Sequence, residues 1–80
     1  MIVTVLLFAS YAEALGAMSV NVEVRAGATV EELLGHLRRL PGADRLPQAP
    51  LIAVNEQYAR RDRALIPGDE VAVIPPVAGG

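Results

Sequence analysis

The sequence predicts an α+β protein: a mixed sheet, one main helix across one of its faces, and a flexible C-terminal tail. Three observations carry this expectation. Apolar, β-branched runs stand near both ends of the chain, at Ile2 to Leu7 and at Val71 to Ile74. One capped, amphipathic helical pattern lies between them. After the second run the sequence changes to "PPVAGG", two prolines followed by a closing Gly-Gly pair.

Each element has its own reason. Ile2-Val3-Thr4-Val5-Leu6-Leu7 is nearly uniform in apolarity, which suits a central strand covered on both faces. "FASYAEAL", Phe8 to Leu15, offers a short helical turn stopped by Gly16. Val20, Val22 and Val24 alternate with Asn21, Glu23 and Arg25, the pattern of a strand with one wet face near a sheet edge. Thr29 and Glu32 have capping-box spacing, in which each side chain satisfies the other residue's N–H. Behind them Val30, Leu33, Leu34, Leu37 and Leu40 form one apolar stripe. Pro41-Gly42 ends that helix. "PGADRLPQAP", residues 41 to 50, reads as a tether between elements.

Leu51-Ile52-Ala53-Val54 is the third strand, Asn55-Glu56 starts a turn, and Gln57 to Arg60 is a candidate edge strand. Pro67-Gly68 carries the signature of a type II turn with Gly68 at positive φ. Val71 to Ile74 is the last strand, again expected to be covered on both faces. Pro75 cannot donate to a ladder, so pairing should stop there. The two most apolar strands belong side by side in the middle of the sheet. That order of elements is the β-grasp, or ubiquitin-like, arrangement. Residues 1–74 are the expected domain and residues 75–80 an extended tail.

Composition removes whole classes of function. The 80 residues suffice for one small domain, and 52% are hydrophobic, enough for a single core. No cysteine is present, so there is no disulfide framework, thiolate nucleophile or cysteine-based metal site. The net charge of −2 and the scarcity of aromatic residues point away from nucleic acid. All basic residues are arginine, so the chain has no lysine side chain to form a Schiff base or receive an isopeptide bond. The run Ile2 to Ala9 has no basic residue before it, and reads as a strand rather than a secretory signal. It is too short to span a bilayer. The expected setting is the cytoplasm, with no membrane partner.

Few side chains are left for chemistry. His36 is the only histidine and sits on the helix flank beside Glu32, so no histidine pair can hold a metal. No metal site is expected. Ser10 and Ser19 lack a supporting elbow motif. Glu31-Glu32 belongs to a helix first turn, and Asp69-Glu70 to a turn; neither reads as an acid–base pair. Arg60, Arg61 and Arg63 surround Asp62, either as a solvated loop or as a contact patch for an acidic surface. The chain is therefore not expected to be catalytic alone.

The tail is the remaining candidate. Pro75-Pro76 fixes φ at successive positions and favours an extended stem. The six residues from Pro75 to Gly80 reach roughly 20 Å at ~3.3 Å each. Gly79 and Gly80 have no Cβ and fit a narrow channel in another protein. Activation of the Gly80 carboxylate as an acyl-adenylate would let a sulfur or amine displace the nucleotide.

"GDEVAVIPPVAGG", Gly68 to Gly80, resembles the C-terminus of the MoaD family, the small sulfur-carrier subunit of molybdopterin synthase. "AVN", Ala53 to Asn55, and "VTVLLFASYAEALG", Val3 to Gly16, are similar to that family as well. Ala78 stands where many members have serine or threonine. The resemblance implies a sulfur carrier with no tightly bound cofactor. An adenylating enzyme of the MoeB type would use ATP to activate Gly80, and a sulfur donor protein would convert it to a thiocarboxylate. The loaded tail would enter a large, MoaE-type subunit in a heterotetramer and deliver sulfur to cyclic pyranopterin monophosphate. Gly80 is then the reacting residue and Gly79 the clearance residue. Pro75, Pro76, Val77 and Ala78 complete the inserted stem, and Phe8 and Ile74 add apolar contact area. Carriers for thiamin or tRNA thiolation, and a ubiquitin-like protein modifier, are the alternatives.

Overall fold

The computed structural model describes residues 1–46 and 50–74. Pro75 to Gly80, and with them the tail and most of the candidate site, lie outside the described residues. Among the described residues are five strands and two α-helices: β1 Ile2–Leu7, α1 Ala9–Leu15, β2 Ser19–Glu23, α2 Val30–Leu37, β3 Leu51–Val54, β4 Gln57–Tyr58 and β5 Glu70–Ile74. The sheet order is β2-β1-β5-β3-β4. β1 and β5 run parallel, with Val5 opposite Val71 and Leu7 opposite Val73, and the other pairs are antiparallel. This is the β-grasp arrangement, with β2 and β4 at the edges. Among the described residues no helix is long and apolar enough to cross a membrane.

The core lies between one face of the sheet and α2. Val3, Val5 and Leu7 of β1, Ile52 and Val54 of β3, and Val71 and Val73 of β5 are buried on that face. Val30, Leu33, Leu34 and Leu37 of α2 cover them, while Tyr11 of α1 and Leu65 seal the sides. Burying each large apolar side chain contributes about 1.5–3 kcal/mol, which is what a chain this short needs.

The expectation that β1 and β5 are covered on both faces is corrected. Burial alternates along both strands. The reason is that the helices all stack on one side, so Ile2, Leu6, Ala72 and Ile74 face away from the core. An unbroken apolar run marks a strand without saying how many of its faces are packed.

The helix α2 starts as its sequence requires. Thr29 is the N-cap, and its hydroxyl accepts from the Glu32 N–H at 3.3 Å. A further device was not anticipated. The N–H groups of Val30 and Glu31 donate to the carbonyls of Arg63 and Arg61 at 3.0 and 2.9 Å. The loop of residues 61–65 thus satisfies first-turn donors that a helix leaves open. The helix is also shorter than the stripe suggested. It ends at Leu37, and Leu40 packs on the core from the turn that follows.

The 41–50 segment is more than a tether. Ala43–Arg45 forms a 3-10 turn with Ala43 buried. Gly42 enters it with φ of 89°, and a Cβ there would run into the carbonyl oxygen of Ala14 in α1. Gly42→Ala is therefore expected to lower stability by about 2 kcal/mol, combining left-handed strain with forced separation of the backbones. Chemical denaturation read by far-UV circular dichroism checks this. The Pro67-Gly68 turn matches its expectation, with Gly68 at φ 90° and the Asp69 N–H donating to Ile66 O at 3.1 Å.

Candidate functional site

The face of the sheet turned away from α2 holds a shallow groove of about 430 Å³. Its position follows from the register. Leu6 of β1 lies beside Ala72 of β5, which pairs with Ala53 of β3, which pairs with Tyr58 of β4. The two alanines make a low floor between larger neighbours. Phe8, 45% exposed, and Ile74 close the end from which the chain continues to Pro75. Glu56 and Glu70 stand at the groove as well.

Of the candidate residues, the structure brings Phe8 and Ile74 together in this groove. Phe8 is the N-cap of α1, with extended backbone, and its ring lines the surface groove. Pro75, Pro76, Val77, Ala78, Gly79 and Gly80 lie outside the described residues. The sequence reading missed Leu6, Ala53, Tyr58 and Ala72. Strand alternation around Thr4 could have flagged Leu6 as sharing its face. The rest depend on cross-strand register, which has no local signal.

One rigid node fixes the other end of the groove, where β5 begins. The Asp69 carboxylate is buried, with 3% of its side chain exposed. It accepts from the Ile66 N–H at 2.9 Å, the Asn55 amide at 2.8 Å and an Arg63 guanidinium nitrogen at 3.1 Å. Burial pushes the Asp69 carboxyl up, but these three donors outweigh it and hold it below the usual carboxylate range. Asn55 itself sits in the left-handed region at φ 52°. Its backbone N–H donates to Glu70 O at 2.8 Å, and its side-chain oxygen accepts from Glu70 N at 3.0 Å. The "AVN" run thus supplies one groove-floor residue, Ala53, and one clamp, Asn55, that locks the β3–β4 hairpin to the start of β5.

Two of the arginines around Asp62 are engaged within the fold. Arg61 pairs with Glu31 at 2.7 Å and Arg63 with Asp69 at 3.1 Å. Both tie the 61–65 loop down rather than offering a patch. Arg60 meets Asp62 at 3.5 Å with both side chains exposed, a pair of little energetic weight. Glu32 accepts hydrogen bonds from Arg25 Nε and Nη2, which hold its carboxyl below the usual range. Partial desolvation opposes this, and the Thr29 N–H and the nearby His36 assist. Among the described residues no three His, Cys, Asp or Glu side chains gather as a metal site.

A five-stranded sheet of order β2-β1-β5-β3-β4, with its central strands parallel and its helices on one face, defines a ubiquitin-like β-grasp protein. The chain belongs to the ThiS family, whose model matches residues 5–80. It is 39% identical over 81 residues to the molybdopterin synthase sulfur carrier subunit of Chlamydomonas reinhardtii, covering 98% of each chain. It is 37% identical over 82 residues to the human protein of the same name, covering 98% of this chain and 93% of the relative. Among solved structures, it is similar to small archaeal modifier protein 1 of H. volcanii at a TM-score of 0.83 and 32% identity, covering 95% of this chain and 98% of the other.

Proposed function

We propose that this chain is the sulfur carrier of molybdopterin synthase. The observation that carries the proposal is the likeness to molybdopterin synthase sulfur carrier subunits over 98% of the chain. In this reading the Gly80 carboxylate attacks the α-phosphate of ATP on a MoeB-type enzyme, releasing pyrophosphate. Sulfide-level sulfur supplied by a donor protein then attacks the glycyl carbonyl, the bond to the phosphate breaks, and AMP leaves a thiocarboxylate behind. The tail, Pro75 to Gly80, enters a large MoaE-type subunit and gives up its sulfur to cyclic pyranopterin monophosphate, and water replaces the sulfur at the glycyl carbon to return the carboxylate. The role of the body is to hold β5 between β1 and β3, with Ile74 paired to Leu51, so that the stem starts from a fixed point, and to present the groove as a dock. These steps belong in the cytoplasm, where ATP and the pterin precursor are available.

Intact-mass spectrometry tests the reading. After incubation with the activating enzyme of its own host, ATP and a sulfur source, the chain should gain the mass difference between sulfur and oxygen. An active enzyme that leaves the mass unchanged would sink the proposal.

A second reading, protein modification, is favoured by the likeness to small archaeal modifier protein 1. Gly80 would then form an amide with a lysine on another protein. The absence of lysine in this chain excludes lysine-linked chains of itself. Covalent adducts in host lysate that vanish on Gly80 deletion would favour this reading.

A further inference from the structure

Asn55 and Glu56 are the two central residues of the β3–β4 hairpin, and both have positive φ, 52° and 69°. A two-residue hairpin turn of this kind favours Asn-Gly, because the second position is left-handed and costs a side chain energy. Asn55 is explained by its clamp on Glu70. Glu56 has no such explanation. Its carboxylate joins no ion pair among the described residues, and it is exposed. A charged residue held where glycine would be easier points to a use outside the fold.

The use is given by what Glu56 faces. With Glu70, it places negative charge beside an apolar groove floored by Ala53 and Ala72. Glu70 likewise joins no ion pair among the described residues. A second copy of this chain would bring like charges together there, so self-pairing through this face is disfavoured. Ile74 stands at the same groove, and Gly80 is the sixth residue after it, a reach of at most about 20 Å. A protein that engages Gly80 must therefore come within that distance of Ile74, and the groove is the apolar surface beside it.

We propose that Glu56 is a specificity-determining docking residue. It pairs with an arginine or lysine on a partner protein whose adjacent apolar side chain fills the hollow over Ala53 and Ala72. The proposal rests on the carrier reading, and it adds the chemistry that the partner surface must present.

The test measures binding of the full chain to the large molybdopterin synthase subunit of its own host, at low and high salt, for wild type, Glu56→Gln and Glu56→Gly. At low salt both variants should bind about three- to tenfold more weakly, and the difference should shrink as salt screens the pair. Glu56→Gly should at the same time raise the thermal unfolding midpoint, because it relieves the left-handed strain. A merely structural role would move stability and binding in the same direction. Wild-type affinity retained in Glu56→Gln at low salt would overturn this inference alone. A wild-type chain that does not bind the large subunit would overturn the carrier reading and this inference with it.

Discussion

Asp69→Ala is expected to destabilise the fold by about 3 kcal/mol, the largest single loss available outside the apolar core. The substitution leaves three donors without their acceptor: the Ile66 N–H, the Asn55 amide and the Arg63 guanidinium. Arg63 is 39% exposed and can turn to water, which keeps the loss from being larger. The Ile66 N–H and the Asn55 amide have less freedom. The same residue should shape the pH profile. Its folded carboxyl is held below the ordinary range, so the unfolded chain takes up the proton first as acid is added. Its stabilisation is full above about pH 5 and is lost as the pH falls through the folded value. Urea melts of wild type should weaken on acidification across this range, and those of Asp69→Ala should weaken less. Equal slopes would mean that Asp69 does not carry the acid sensitivity.

Deleting Gly80 is expected to abolish sulfur loading and leave stability unchanged. Among the described residues the buried core runs from Val3 to Val73 and is closed by contacts within the body. Shortening the stem by one residue withdraws the carboxylate by ~3.3 Å, far more than an in-line attack tolerates. Loading should fall by two orders of magnitude or more, by analogy with misplacement of about 1 Å costing ~100-fold. The measurement is the fraction of chain converted to thiocarboxylate by mass, beside a thermal melt of the same sample. A deletion variant that unfolds would instead assign the tail a structural role.

How much could be read in advance depended on whether a signal was local. Thr29 with Glu32 and Pro67 with Gly68 each announce a turn or cap through residues a few positions apart, and both formed. The adjacency of β1 and β5 was legible because they are the two most apolar runs. The groove was not, since it exists only once Leu6, Ala72, Ala53 and Tyr58 are placed in register. Nor was the Asp69 node, whose partners come from residues 55, 63 and 66. In the sequence Asp69 reads only as half of an Asp-Glu pair in a turn. Arg61 and Arg63 were read as a possible surface patch because their partners, Glu31 and Asp69, are fixed by tertiary contact.

The parallel pairing of β1 with β5 has a consequence for biogenesis. The first strand made by the ribosome finds its central neighbour only when residues 70–74 have emerged. Closing that loop comes late and brings together distant parts of the chain, so a stalled nascent product cannot complete the sheet. Such a product would expose Val3, Val5 and Leu7 and be open to proteolysis. An incomplete copy therefore lacks both the central strand pair and the groove that β5 helps to line.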